Sequence, residues 1–144
     1  MPPASETTDR LIVRDGVARA VAVVGLAGVA LIHVLDLPGT FEETPYKGVL
    51  YVGLIAGCLA AAAVLVGRSD RRAWLAAAAL PLGAIVAFVL SRTVGLPNGA
   101  DDIGNWTETL GLASLFVEGC VVALAGRMLV ETAESRAVAV PAGA

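Results

Sequence analysis

The chain has 144 residues, 57% hydrophobic and only 16% charged, with a mean hydropathy of +0.78. Soluble domains carry about 25% charged residues, so this composition belongs in lipid. A net charge of -3 with no basic patch interleaved with aromatics implies no nucleic-acid partner.

The polar stretch 1–16 carries Glu6, Asp9 and Asp15 among its arginines. It is expected to be a disordered cytoplasmic tail rather than a cleavable signal peptide. The first span is predicted over about 17–35, because a bilayer core needs roughly 20 mostly apolar residues in a helix. His33, the only histidine, sits near its end, and Asp36 lies three residues on, on the same helical face. The two can hydrogen-bond or coordinate together, and a histidine there is a candidate proton relay or ligand. The segment 33–46 is too rich in Pro and Gly for regular helix and reads as a loop carrying Glu42 and Glu43.

The second span is predicted over about 48–66, with Gly53 and Gly57 as a small-residue face for helix packing. Arg68, Arg71 and Arg72 fill the short loop that follows. The third span covers about 73–90, with Pro81 as a kink that neighbouring helices can accommodate. Arg92 ends it and needs an acidic partner, for which Asp36, Glu42, Glu43, Asp101, Asp102 and Glu108 are available. The segment 91–106 reads as a second polar loop, in which Asp101 and Asp102 can also cap the fourth helix. Tyr46 and Trp106 suit an interfacial aromatic belt.

The fourth span is predicted over about 107–129, and within it Glu118 interrupts the apolar run 110–125. A carboxylate near a bilayer midplane costs several kcal/mol unless it is protonated, paired or facing water. Glu118 lies ten residues beyond Glu108, or roughly 15 Å deep at 1.5 Å per residue. Ser114 and Gly111 share its face and make a slightly polar stripe leading outward. The residues 131–144 form a second cytoplasmic tail.

Eight basic residues (Arg10, Arg14, Arg19, Arg68, Arg71, Arg72, Arg127 and Arg136) fall on one side of these spans, against Lys47 and Arg92 on the other. The positive-inside rule therefore places both termini in the cytoplasm of a multi-pass plasma-membrane protein. The fold class is all-α, a four-helix transmembrane bundle over 17–130. The two halves also resemble one another. Leu35-Asp-Leu-Pro-Gly39 answers Val94-Gly-Leu-Pro-Asn98, and Gly57-Cys58 answers Gly119-Cys120. A duplication would give two tandem hairpins related by an axis along the membrane normal.

No nucleophile–base–acid arrangement or phosphate loop is visible, so enzyme chemistry is not indicated. Cys58 and Cys120 have no CxxC or zinc-type spacing, and a single histidine cannot supply bis-His haem ligation. No metal or cofactor site is expected. The implied partners are the lipid bilayer and either further copies of the chain or a partner membrane protein. The favoured reading is a polar extracytoplasmic pocket of His33, Asp36, Arg92 and the loop acids, with Glu118 beneath it. Such a pocket would bind a small ligand or cation, or sense pH. The alternatives are a small proton- or ion-coupled transporter subunit using Glu118, and a scaffold or accessory subunit of a membrane complex.

Ser91-Arg-Thr-Val-Gly-Leu-Pro97, Asp102-Ile-Gly-Asn-Trp106 and Leu110-Gly-Leu-Ala-Ser-Leu-Phe-Val-Glu118 carry a resemblance. Over mainly this second half, the chain resembles uncharacterised small four-span integral membrane proteins of actinobacteria. The resemblance implies a membrane location and attaches no activity.

Overall fold

The computed structural model describes the backbone of residues 4–139 and the side chains of residues 9–134. Four helices account for the chain: α1 (Ala4–Glu43), α2 (Pro45–Gly67), α3 (Arg71–Thr93) and α4 (Thr109–Ala139). Each is long and apolar enough to cross a membrane, giving the architecture of an integral, multi-pass membrane protein. The helices form a ring in which α1 and α3 each lie beside α2 and α4, with α1 and α3 touching across the diagonal.

α1 differs most from expectation. It has 40 residues, about 60 Å at 1.5 Å per residue, roughly twice a bilayer core. The segment expected to be a loop after His33 is helical as far as Glu43, with Pro38 inside the helix. Pro38 gives up one backbone hydrogen bond, and tertiary contacts hold the turns beyond it. Thr40 donates to Asp36 at 3.3 Å, Tyr51 donates to the same carboxylate at 3.2 Å, and the Phe41 ring rests on Gly48. A Cβ at Gly48 would lie 2.6 Å from that ring, so glycine is what lets α1 and α2 meet here. Thr44 alone separates the two helices, and Pro45 begins α2, where its missing N–H would be unpaired anyway.

The expected N-terminal disorder is also corrected, since the backbone is helical from Ala4. Arg14 pairs with Glu131 of α4 at 2.7 Å, fastening the beginning of α1 to the bundle, and Arg19 pairs with Asp15 one turn away within α1 at 3.0 Å. α4 likewise continues to Ala139, through most of the second expected tail. Residues 1–3 and 140–144 and the Arg136 side chain lie outside the described residues.

At the arginine-rich end the α2–α3 turn is built from local hydrogen bonds. Asp70 caps α3 by accepting from the amides of Arg72 and Ala73, which holds its carboxyl below the usual range. Arg19 donates to the terminal carbonyls of α2 at Leu65 and Val66. The adjoining half of the bundle is solid. Ala22, Leu26 and Val29 of α1 share one core with Cys58 and Leu65 of α2, Trp74 and Ala77 of α3, and Val121 and Ala125 of α4. Small residues set the spacing, because lipid offers no hydrophobic force between helices. A Cβ on Gly25 would stand 2.5 Å from Val121, and one on Gly57 2.9 Å from Leu80. Gly53, expected to act with Gly57, faces open space.

The α3–α4 connection is irregular. Gly95 ends α3 at φ +79°, where its amide bonds to the Leu90 carbonyl. Leu96 to Gly99 forms a tight turn, Ala100–Asp102 a 3-10 turn, and the Gly104 amide returns to the Arg92 carbonyl at 2.9 Å. Asp101 and Asp102 therefore do not cap α4, which begins seven residues later at Thr109. The two segments matched in the proposed repeat also have different backbones. Leu35 to Gly39 is helix, whereas Val94 to Asn98 is turn.

Candidate functional site

Beyond His33 the four helices stand apart around a cavity of about 490 Å³. His33 and Asp36 of α1, Arg92 of α3 and Glu118 of α4 all line it, together with Glu43, Asp102 and Glu108. Of the remaining expected site residues, Glu42 and Asp101 are exposed and outside its wall.

Glu118 lies at the floor and is 2% exposed. Ser114, one turn nearer the mouth, donates to its Oε1 at 2.8 Å, and His33 Nε2 is 3.8 Å from the same oxygen. No hydrogen bond reaches Oε2 among the described residues. His33 Nδ1 is 2.9 Å from the Val29 carbonyl. A carbonyl can only accept, so Nδ1 carries a proton, and in the neutral imidazole the Nε2 lone pair is directed away from the helix. Tyr51 closes edge-on against the imidazole at 4.6 Å between centroids. The expected His33–Asp36 pairing is not formed. α1 turns both towards the cavity, but each has other partners: the histidine Val29 and Glu118, the aspartate Thr40 and Tyr51.

The mouth is an ion-pair network. Arg92, 6% exposed, pairs with Asp102 through Nη1 and with Glu108 through Nη2, while its cationic carbon lies 4.8 Å from the centre of the Phe88 ring. Lys47 of α2 reaches the other oxygen of Asp102 at 2.9 Å. Burial pushes the Asp102 carboxyl up, but the hydrogen bonds and charges of Lys47 and Arg92 outweigh it and hold it below the usual range. Arg92 Nε is buried without a partner. Tyr46 donates to the Pro97 carbonyl at 2.8 Å and Trp106 stands edge-on to Phe88, so both aromatics also brace the α3–α4 connection.

Lys47 and Tyr51 escaped the sequence reading as site residues. They are four apart on α2, hence on one face, and that spacing was the available signal. Among the described residues no three His, Cys, Asp or Glu side chains converge as a metal cage. No family model, curated protein or solved structure matches this chain.

Proposed function

We propose that the protein binds a small ligand or cation in this cavity, which opens on the side of the membrane away from the cytoplasm. The observation that carries the reading is the convergence of buried His33, Arg92 and Glu118 from three helices on one cavity. Its 490 Å³ falls within the roughly 300–1,000 Å³ typical of small-molecule sites. Ionisable side chains inside membrane helices are costly and mark ligand or ion sites. The wall carries five acids (Asp36, Glu43, Asp102, Glu108 and Glu118) against Lys47 and Arg92, which favours a cation. The orientation follows from the eight basic residues at the opposite end.

Thermal unfolding of the detergent-purified protein against a panel of small inorganic and organic cations, anions and neutral molecules tests the reading. Cations should raise the unfolding temperature, and Glu118→Gln combined with His33→Ala should abolish the rise. If no compound raises it, or if the double variant responds as fully as the parent, the reading fails.

Coupled transport is a second reading, favoured by the position of Glu118 at the cavity floor opposite an imidazole lone pair. Proteoliposomes under a proton gradient should then show Glu118-dependent flux. We also retain the relationship to actinobacterial four-span proteins as a proposal resting on the second half of the chain.

A further inference from the structure

The cations in the cavity wall are already spoken for. Arg92 is bound by Asp102 and Glu108, and Lys47 by Asp102. Three acids remain without a basic partner of that kind, the exposed Glu43 and, further in, Asp36 and Glu118. Asp36 receives only the hydroxyls of Thr40 and Tyr51, and Glu118 receives only Ser114, with His33 nearby. An incoming anion would find only the single unpartnered N–H at Arg92 Nε, on a guanidinium already neutralised by two carboxylates, whereas an incoming cation finds both carboxylates.

The shape narrows the cation further. Floor and mouth are separated by the ten residues from Glu118 to Glu108, roughly 15 Å along α4. Between them the wall is Leu50, Leu54, Leu80 and Leu115 with the rings of Tyr51 and Phe88. This lining solvates an apolar chain. At the floor, three acceptors face the same space: Glu118 Oε2, the His33 Nε2 lone pair and the Ser114 oxygen, whose own hydrogen is given to Oε1. Three acceptors match the three N–H donors of a primary ammonium. They match a divalent metal ion poorly, since calcium takes six to eight oxygens.

The same floor has a proton balance. His33 Nδ1–H is committed to Val29, so His33 Nε2 and Glu118 face one another as acceptors. One proton, as the Glu118 carboxylic acid or as N–H on His33 Nε2, would supply the donor that this pair of acceptors lacks. The groups around it come from every packed element. α1 adds Asp36 one turn nearer the mouth, and α2 adds Tyr51 and the Cys58 thiol. α3 brings no charge until Arg92 at the mouth, and Glu108, the residue before α4, lies beside Arg92.

We propose, building on the pocket reading above, that the cavity takes a primary ammonium with an apolar body and that its head exchanges one-for-one with a proton at the Glu118–His33 floor. The ammonium enters as R–NH₃⁺, Glu118 becomes its carboxylate counter-ion, and the displaced proton leaves to water. One O–H or N–H bond at the floor breaks as its proton passes to water, and the charge of the site is conserved, so a buried site of low dielectric never holds an excess charge. Proton and ammonium therefore compete, and binding weakens as pH falls.

The test is calorimetric titration of the detergent-purified full chain with n-hexylammonium at one pH, in two buffers of different ionisation heat. n-Hexanol and hexanoate serve as neutral and anionic probes. The expected result is about one proton released per ammonium bound and an affinity loss approaching tenfold per pH unit on acidification. Hexanol and hexanoate should bind at least tenfold more weakly. Filling the cavity by Ala84→Phe should abolish binding, and Glu118→Gln should abolish proton release. The proton count is read on the unmodified chain, so it does not depend on a variant folding. Ammonium binding without proton release overturns the exchange. Equal binding of hexanol or hexanoate, blocked by Ala84→Phe, overturns the ligand class and leaves the pocket reading standing. Absence of binding by these probes and by the wider panel overturns both.

Discussion

Between Arg68 and His33 the bundle is filled by Ala, Leu and Trp side chains, whereas beyond His33 the same four helices surround a 490 Å³ cavity. Among the described residues, the buried polar side chains are His33, Thr44, Ser91, Arg92, Ser114 and Glu118. All of them belong to the hollow half. The difference lies in what separates the helices. In the solid half aliphatic side chains sit directly against small residues, Val121 against Gly25, and Trp74 is buried in the shared core with its N–H satisfied by Ser69 at 2.9 Å. In the hollow half aromatic rings are wedged at the helix contacts, Phe41 over Gly48 and Phe88 over Gly111. The solid half fixes the helices, and the hollow half can then hold charge at a depth where unsupported charge would be expensive.

The sharpest way to break this comparison is to truncate one large side chain in each half. Trp74→Ala should cost about 3 kcal/mol in unfolding experiments, the low end for such a change because lipid solvates the exposed surface. Leu115→Ala, on a wall that already borders a void, should cost about 1 kcal/mol or less by the same reasoning. Equal losses would mean that the cavity collapses in solution.

Arg92→Ala tests whether the mouth network supports the hollow half. Stranding one side of a buried pair costs roughly 3–5 kcal/mol. Asp102 and Glu108 are each about a third exposed, so water screens part of this and we expect about 2 kcal/mol. A change below about 0.5 kcal/mol would remove Arg92 from the stability account and leave it to ligand binding.

A methyl group reads the packing more gently. Gly25→Ala places a Cβ 2.5 Å from the stiff Val121 side chain and should destabilise by about 1–2 kcal/mol. Gly83→Ala on the cavity wall meets nothing within 4 Å and should stabilise by up to about 1 kcal/mol through helix propensity. Opposite signs sharpen the contrast between the halves, and like signs dissolve it.

The smallest effect is a pH dependence at the mouth. The folded pKa of Asp102 is held below its unfolded value, which is about 3.9. Its stabilising contribution is therefore complete above about pH 5 and disappears as pH falls through the folded value. The stability gap between the parent and Asp102→Asn should stay constant from about pH 8 to 5 and close below about pH 4.

The four spans were legible because bilayer thickness sets a simple length rule, and Glu118 was legible because it is the one charged residue in the run 110–125. Arg92 announced its need for an acid by ending a helix on the sparsely basic side. Helix continuity past Pro38 was not legible, since it depends on Tyr51 and Gly48 arriving from α2. The rotation of each helix was not legible either. The three-residue spacing put His33 and Asp36 on one face, but it could not show that Val29 and Glu118 would take the imidazole. Lys47 was visible only as a charge on the sparsely basic side, and its pairing with Asp102 spans 55 residues.

Cysteine accessibility along α3 tests the division into halves most directly. Ala77 and Ala84 are seven residues apart and share a face, about 10 Å apart along the axis. Ala77 is fully buried in the core and Ala84 lines the cavity. In a background lacking Cys58 and Cys120, a water-soluble cationic methanethiosulfonate should modify Ala84→Cys rapidly and leave Ala77→Cys unreacted. Modification of both at similar rates, or of neither, would contradict a solid half joined to a water-accessible one.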